Sequence, residues 1–62
     1  MEVWIARDMC GELAMFPICP TPYDVGAFEP DVIWTSTRGG EELNPNLYPE
    51  ITFENSPKKV TL

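Results

Sequence analysis

Residues 1–16, MEVWIARDMCGELAMF, decide the fold of this chain, because strand-forming and turn-forming residues follow one another here in a clear order. The run VWI is β-branched and aromatic, and the apolar run LAMF resumes after the interruption RDMCG. In that interruption Asp8 can accept a backbone hydrogen bond, and Gly11 can adopt the positive φ of a type I turn followed by a bulge. The stretch therefore predicts a β-hairpin over residues 2–17.

The predicted turn also fixes which residues of the hairpin pair. In this register Trp4 lies opposite Phe16 on one face, and Ile5 lies opposite Met15 on the other. Both faces are then largely apolar, and a two-stranded ribbon is not stable alone. One face must be covered by the rest of the chain. On the other face, Trp4 and Phe16 either form a small cluster under a folded-back loop or contact a partner.

The rest of the chain predicts further short strands separated by turn residues. Residues 17–30 contain four of the seven prolines and predict a long ordered loop that packs across a sheet face. The glycines at positions 39 and 40 predict a tight reversal, so that a strand at 41–43 pairs back on the strand before it. The predicted strands after the hairpin are 31–37, 41–43, 50–54 and 58–62, with one helical turn after Asn44-Pro45.

Together these elements predict a mainly β fold in one small domain, residues 1–62. Its architecture is a single antiparallel sheet of four to six short strands, arranged as a twisted meander, with the Pro-rich loop 17–30 and at most one helical turn. A chain this short buries only about 60 % of its unfolded surface, so its stability depends on additional aids such as disulfides, metals or oligomerisation.

The two cysteines cannot form a disulfide if the hairpin is correct. Cys10 lies at the hairpin tip, and Cys19 lies beyond its open end. The seven extended residues leading to Cys19 span roughly 20 Å, whereas a disulfide requires α-carbons within about 7 Å. Free thiols, the lack of a secretory leader and the lack of a long apolar run predict a cytoplasmic protein without membrane association.

The charge of the chain limits its partners. Its net charge is −6 and its pI is near 4.2. Only four basic side chains are available, so we expect no direct binding of nucleic acid. The ten acidic residues either form a solvated surface or imitate phosphates and occupy a basic groove on another protein.

Two segments resemble a known group of proteins. Residues 4–8 (WIARD) with Gly11, Leu13 and Phe16, and residues 47–58 (LYPEITFENSPK), are similar to a group of small uncharacterised acidic proteins of gut bacteria and their phages or prophages. The resemblance covers about half of the chain. It implies a bacterial host cytoplasm and carries over no activity or functional residue.

Specific chemistry is excluded by residue types. Without histidine, a cysteine or hydroxyl nucleophile lacks its usual base. Two cysteines without histidine cannot complete a tetrahedral zinc site, and no calcium-loop or phosphate-loop pattern is present. We therefore expect no enzymatic activity, no metal and no cofactor.

Binding is the function that remains. The first hypothesis is a phage or prophage protein that docks on and inhibits a bacterial protein with a basic surface, such as a CRISPR nuclease or another nucleic-acid-binding defence effector. The alternative is a self-associating structural or accessory module, a homodimer formed through an apolar hairpin face or through the edge strand at residues 60–62. The aromatic anchors and acidic residues expected to bind are Trp4, Phe16, Tyr23, Trp34, Glu41 and Glu42.

Overall fold

The computed structural model describes all 62 residues and contains six strands in two antiparallel sheets. The larger sheet has the order β5-β2-β1-β6, and the smaller sheet consists of β3 and β4. No helix is present, and thus none long and apolar enough to cross a membrane. The strands are β1 (Glu2–Arg7), β2 (Leu13–Phe16), β3 (Thr21–Asp24), β4 (Val32–Thr35), β5 (Glu41–Leu43) and β6 (Lys58–Thr61).

The predicted N-terminal hairpin is confirmed as the centre of the larger sheet. Trp4 pairs with Phe16 and Ile5 pairs with Met15, as the turn chemistry requires. The turn is closed by the backbone N–H of Gly11, which donates to the carbonyl of Asp8 over 2.9 Å, and Gly11 has a φ of 101°. An L-residue rarely adopts this φ, so the glycine fixes the register of the whole sheet.

The prediction of a single meandering sheet is wrong, because β5 pairs with β2 instead of β4. The chain between β4 and β5 crosses directly over Phe16. A Cβ atom at Gly40 would lie 2.4 Å from Cε1 of Phe16, so only glycine allows this close passage. The glycines therefore permit a crossover to the edge of the larger sheet rather than the tight hairpin expected from them.

The alternating sequence at residues 50–54 does not form a strand, and no helical turn follows Asn44-Pro45. Local side chains satisfy the backbone instead. Asn55 accepts from the N–H of Thr52 over 2.8 Å through Oδ1, and its Nδ2 donates to the carbonyl of Glu50 over 2.9 Å. These bonds compete with strand pairing and close a compact turn. Ile51 nevertheless occupies the core, as its apolar character predicted.

Strand β3 lies inside the segment expected to be a loop across a sheet face. Within this segment Pro20 is buried, whereas residues 21–31 are all exposed. Pro22 lies opposite Trp34, at a position of the small sheet where the backbone N–H groups point away from the partner strand. The N–H of Trp34 accordingly donates to Oδ1 of Asp8 over 3.0 Å and does not pair across the small sheet. Proline therefore lies on an edge strand, where the missing N–H costs no ladder hydrogen bond.

The core lies on one face of the larger sheet. Its buried members are Val3, Ile5, Leu13 and Ile51. On the opposite face Phe16 is buried, with only 4 % of its surface exposed. Both cysteines are free and exposed, as the hairpin geometry predicted.

Arg7, at the end of β1, binds the irregular segment 44–51 to the larger sheet through hydrogen bonds. Its guanidinium has five N–H donors, and five backbone carbonyls accept from them. Nε donates to Ile51 over 2.6 Å, and the terminal nitrogens donate over 2.9–3.2 Å. The other accepting carbonyls belong to Gly11, Pro45, Leu47 and Tyr48. One side chain thus replaces the ladder hydrogen bonds that this segment lacks.

Candidate protein-binding groove

The small sheet is attached to the turn of the central hairpin, and Trp34 makes most of the attachment. Its indole Nε1 donates to the carbonyl of Arg7 over 3.0 Å, and Met9 donates to the carbonyl of Val32 over 3.0 Å. The ring of Phe53 packs against the indole with centroids 6.3 Å apart and a tilt of 51°. Trp34 is therefore held in one orientation by hydrogen bonds and by packing.

An open groove lies between the two sheets beside Trp34. Its volume is about 360 Å³. Strand β4 and the crossover 36–40 form one side, and strand β2 with the edge strand β5 forms the other. The residues that define its chemistry are Asp8, Glu12, Ala14, Phe16, Trp34 and Glu42.

The groove is acidic. Three carboxylates, those of Asp8, Glu12 and Glu42, line it, and no lysine or arginine does. Oδ1 of Asp8 accepts from the backbone N–H of Trp34, which fixes that carboxylate at the main chain of β4. A cation that enters the groove therefore meets negative charge beside Trp34.

This arrangement suits a basic side chain of another protein. A guanidinium can form paired hydrogen bonds with a carboxylate, and its plane can stack on an indole. A cation over a tryptophan ring contributes about 0.5–2 kcal/mol, depending on its desolvation. The groove supplies a carboxylate and an indole side by side.

The structure separates the residues that the sequence grouped as binding residues. Phe16, Trp34 and Glu42 line the groove. Glu41 lies on the opposite face of β5, in a second depression of about 330 Å³ that also includes Arg38. Adjacent residues of a strand point to opposite faces, so only one of the two glutamates can contribute to the groove.

The three predicted aromatic anchors other than Trp34 have different surroundings. Phe16 lies in the lining of the groove, but only 4 % of its surface is exposed. Trp4 is half-buried, and Nζ of Lys59 lies 5.9 Å from its ring centroid. Tyr23 is 62 % exposed on β3, away from the groove.

Asp8 and Glu12 are groove residues that sequence reasoning did not select. The backbone N–H of Asp8 donates to the carbonyl of Glu12 over 2.7 Å across the hairpin turn, and Glu42 joins them only because β5 pairs with β2. The unexpected strand order therefore creates the acidic groove.

Ligand atoms of Asp8, Cys10 and Glu12 also lie within 4.8 Å of one another on the hairpin turn. We assign no metal to this cluster.

Comparison with known protein families, with curated proteins and with solved structures finds no match to this chain. Its function must therefore be inferred from the geometry above.

Proposed function

We propose that this chain is a small acidic binding protein that docks on a basic surface of a bacterial protein and blocks that surface. The observation that carries the proposal is the groove that Asp8, Glu12 and Glu42 line together with Trp34, without a lysine or arginine among its lining residues. A lysine or, better, an arginine of the partner enters this groove.

The partner class follows from the same chemistry. Proteins that bind nucleic acid carry clustered lysines and arginines for phosphate contacts. A nucleic-acid-binding defence effector such as a CRISPR nuclease presents such a surface, and occupation of it would inhibit the effector. The bacterial setting of this proposal rests on the sequence resemblance.

Self-association is the alternative function, and the central hairpin offers little surface for it. Both faces of the central hairpin are covered, with Ile5 only 1 % and Ala6 0 % exposed. The edge strand β6 is short and carries two exposed lysines, which discourage pairing with another strand. The groove therefore favours a foreign basic partner.

A titration by nuclear magnetic resonance tests the proposed function. The probe is a short peptide of alternating glycine and arginine, added to ¹⁵N-labelled protein at low and at high salt. We expect the indole N–H resonance of Trp34 and the amides of Glu12 and Glu42 to shift at low salt, and the shifts to decrease at high salt because ions screen the attraction.

The matched control is a peptide of alternating glycine and glutamate, which should shift none of these resonances. Shifts spread evenly over all acidic residues, with no preference for the groove, would contradict the proposal. They would show that the arginine peptide responds to net charge alone.

A further inference from the structure

The hairpin formed by β3 and β4 displays apolar side chains that nothing in the chain covers. Phe28, at its tip, is fully exposed (101 %), and Val25 is 49 % exposed. Tyr23 lies directly opposite Ile33 in the register, so these two share one face of the small sheet. Single exposed apolar residues are common, but a fully exposed phenylalanine next to an apolar face marks an interaction surface.

The loop that holds Phe28 is tightly braced. The ladder extends to Val25, whose N–H donates to the carbonyl of Asp31 over 2.9 Å. Oδ1 of Asp24 accepts from the N–H groups of Gly26 and Asp31 over 2.9 and 3.1 Å. A Cβ atom at Gly26 would lie 1.7 Å from the carbonyl oxygen of Glu29, so the loop closes upon itself as only glycine allows. A preorganised loop loses little entropy when its tip is bound.

The charge around the tip selects the partner. Residues 21–35 contain three carboxylates, Asp24, Glu29 and Asp31, and no lysine or arginine. A second copy of the chain would oppose these carboxylates with its own, and each copy has a net charge of −6. An anionic membrane would repel them as well. The complementary surface is an apolar pocket with a basic rim on another protein.

We propose that the β3–β4 hairpin is the anchoring element of the complex: Phe28 enters an apolar pocket of the partner, and lysines or arginines at the rim of that pocket pair with Glu29 and Asp31. This inference rests on the proposed function, because it assumes a foreign basic partner. It adds a second contact region, distinct from the groove at Trp34, and it names the side chain that is buried there. Buried aromatic anchors commonly dominate binding energy.

Photo-crosslinking tests the anchor. The photoreactive residue p-benzoylphenylalanine replaces Phe28 in one variant of the full chain and Leu47 in a control variant, because Leu47 is 48 % exposed outside the hairpin. Both variants are irradiated in a bacterial lysate, and the crosslinked peptides are sequenced. We expect position 28, but not position 47, to crosslink to an apolar pocket flanked by lysine or arginine on a foreign protein.

Purified binding then measures the contribution of the anchor. With the crosslinked protein as ligand, we expect Phe28→Ala to weaken binding at least tenfold and Glu29→Lys to weaken it similarly at low salt. Phe28 is fully exposed, so its replacement should leave the melting temperature unchanged. Crosslinks only to another copy of this chain, or equal crosslinking from positions 28 and 47, would overturn the anchor proposal.

The two proposals fail separately. If the arginine peptide binds at Trp34 while position 28 crosslinks no more than position 47, the groove stands and the anchor does not. If the arginine peptide does not bind the groove, the proposed function fails whatever position 28 contacts.

Discussion

At the scale of single residues, Arg7 has the widest role in the structure. Its guanidinium connects the hairpin turn to four carbonyls between residues 45 and 51. Its backbone N–H donates over 2.9 Å to Oγ of Ser56, which lies before the start of β6. In a sequence so poor in basic residues, this arginine is structural and is not available to a partner.

Replacement of Arg7 by lysine should destabilise the fold. Lysine keeps the charge but lacks the planar arrangement of five donors. Since a hydrogen bond to a charged group contributes about 1.5–3 kcal/mol, we expect the free energy of unfolding to fall by about 2–3 kcal/mol. For a domain of this size, this corresponds to a melting temperature lower by roughly 10–20 °C.

Thermal unfolding followed by circular dichroism measures this effect. The control is Arg38→Lys, since the exposed guanidinium of Arg38 makes no hydrogen bond and its replacement should change stability by less than about 0.5 kcal/mol. Equal stability of the two variants would mean that the carbonyl contacts of Arg7 contribute nothing net.

Asp24 should give the loop of the second hairpin a dependence on pH. Backbone hydrogen bonds from Asp31 and then Gly26 lower the pKa of Asp24 below its ordinary value of 3.8. A carboxylate whose folded pKa is lowered stabilises the loop above its unfolded pKa, and this contribution is lost as the pH falls through the folded value.

A carboxyl titration by nuclear magnetic resonance should therefore place the midpoint of Asp24 below 3.8. The amide resonances of Gly26 and Asp31 should change with the same midpoint. A midpoint at or above the ordinary value would show that the two hydrogen bonds do not hold the carboxylate in solution.

At the scale of elements, the two sheets should differ in local stability. The small sheet is attached through Val32 and Trp34, and residues 21–31 are exposed, whereas β1 and β2 surround the core. We expect amides within β3 and β4 to exchange with deuterium at least tenfold faster than those of β1, because elements with few buried contacts open locally. Equal exchange rates in both sheets would instead indicate one cooperative unit.

The central hairpin was predictable because its turn residues and its β-formers agree over one short stretch. Gly11 set the register, and every pair stated for Trp4 and Ile5 follows from it. The strands around residues 31–37, 41–43 and 58–62 were also predictable from composition. These features depend on local chemistry, which a sequence displays directly.

The strand order and the groove depend on long-range contacts that local patterns do not encode. The crossover to β5 depends on the close passage of Gly40 over Phe16. The two adjacent glycines in the sequence do not reveal this contact. Likewise, alternation at residues 50–54 resembles a strand, but Asn55 supplies competing hydrogen bonds. Glu42 was predicted as a binding residue and lies in the groove, whereas its proximity to Asp8 and Glu12 follows only from the strand order.

At the scale of the whole molecule, the sheet edges are protected against self-association. Pro22 interrupts the outer edge of β3, and β5 presents two exposed glutamates. We expect sedimentation at micromolar concentration to give a monomer of 7.0 kDa. A dimer that persists at high salt would favour the self-associating module over a foreign partner.

The central claim is that the groove, rather than the net charge, binds a basic side chain, and Glu41 and Glu42 allow a matched test of it. Both are exposed neighbours on β5, and their replacement by lysine changes the net charge equally, but only Glu42 lines the groove. The measurement is the dissociation constant of the arginine peptide for Glu41→Lys and Glu42→Lys. We expect Glu42→Lys to weaken binding about three- to tenfold, because an exposed ion pair of about 0.2–1 kcal/mol becomes a repulsion of similar size, and Glu41→Lys to change it less than about twofold. Equal weakening by both substitutions would contradict the claim.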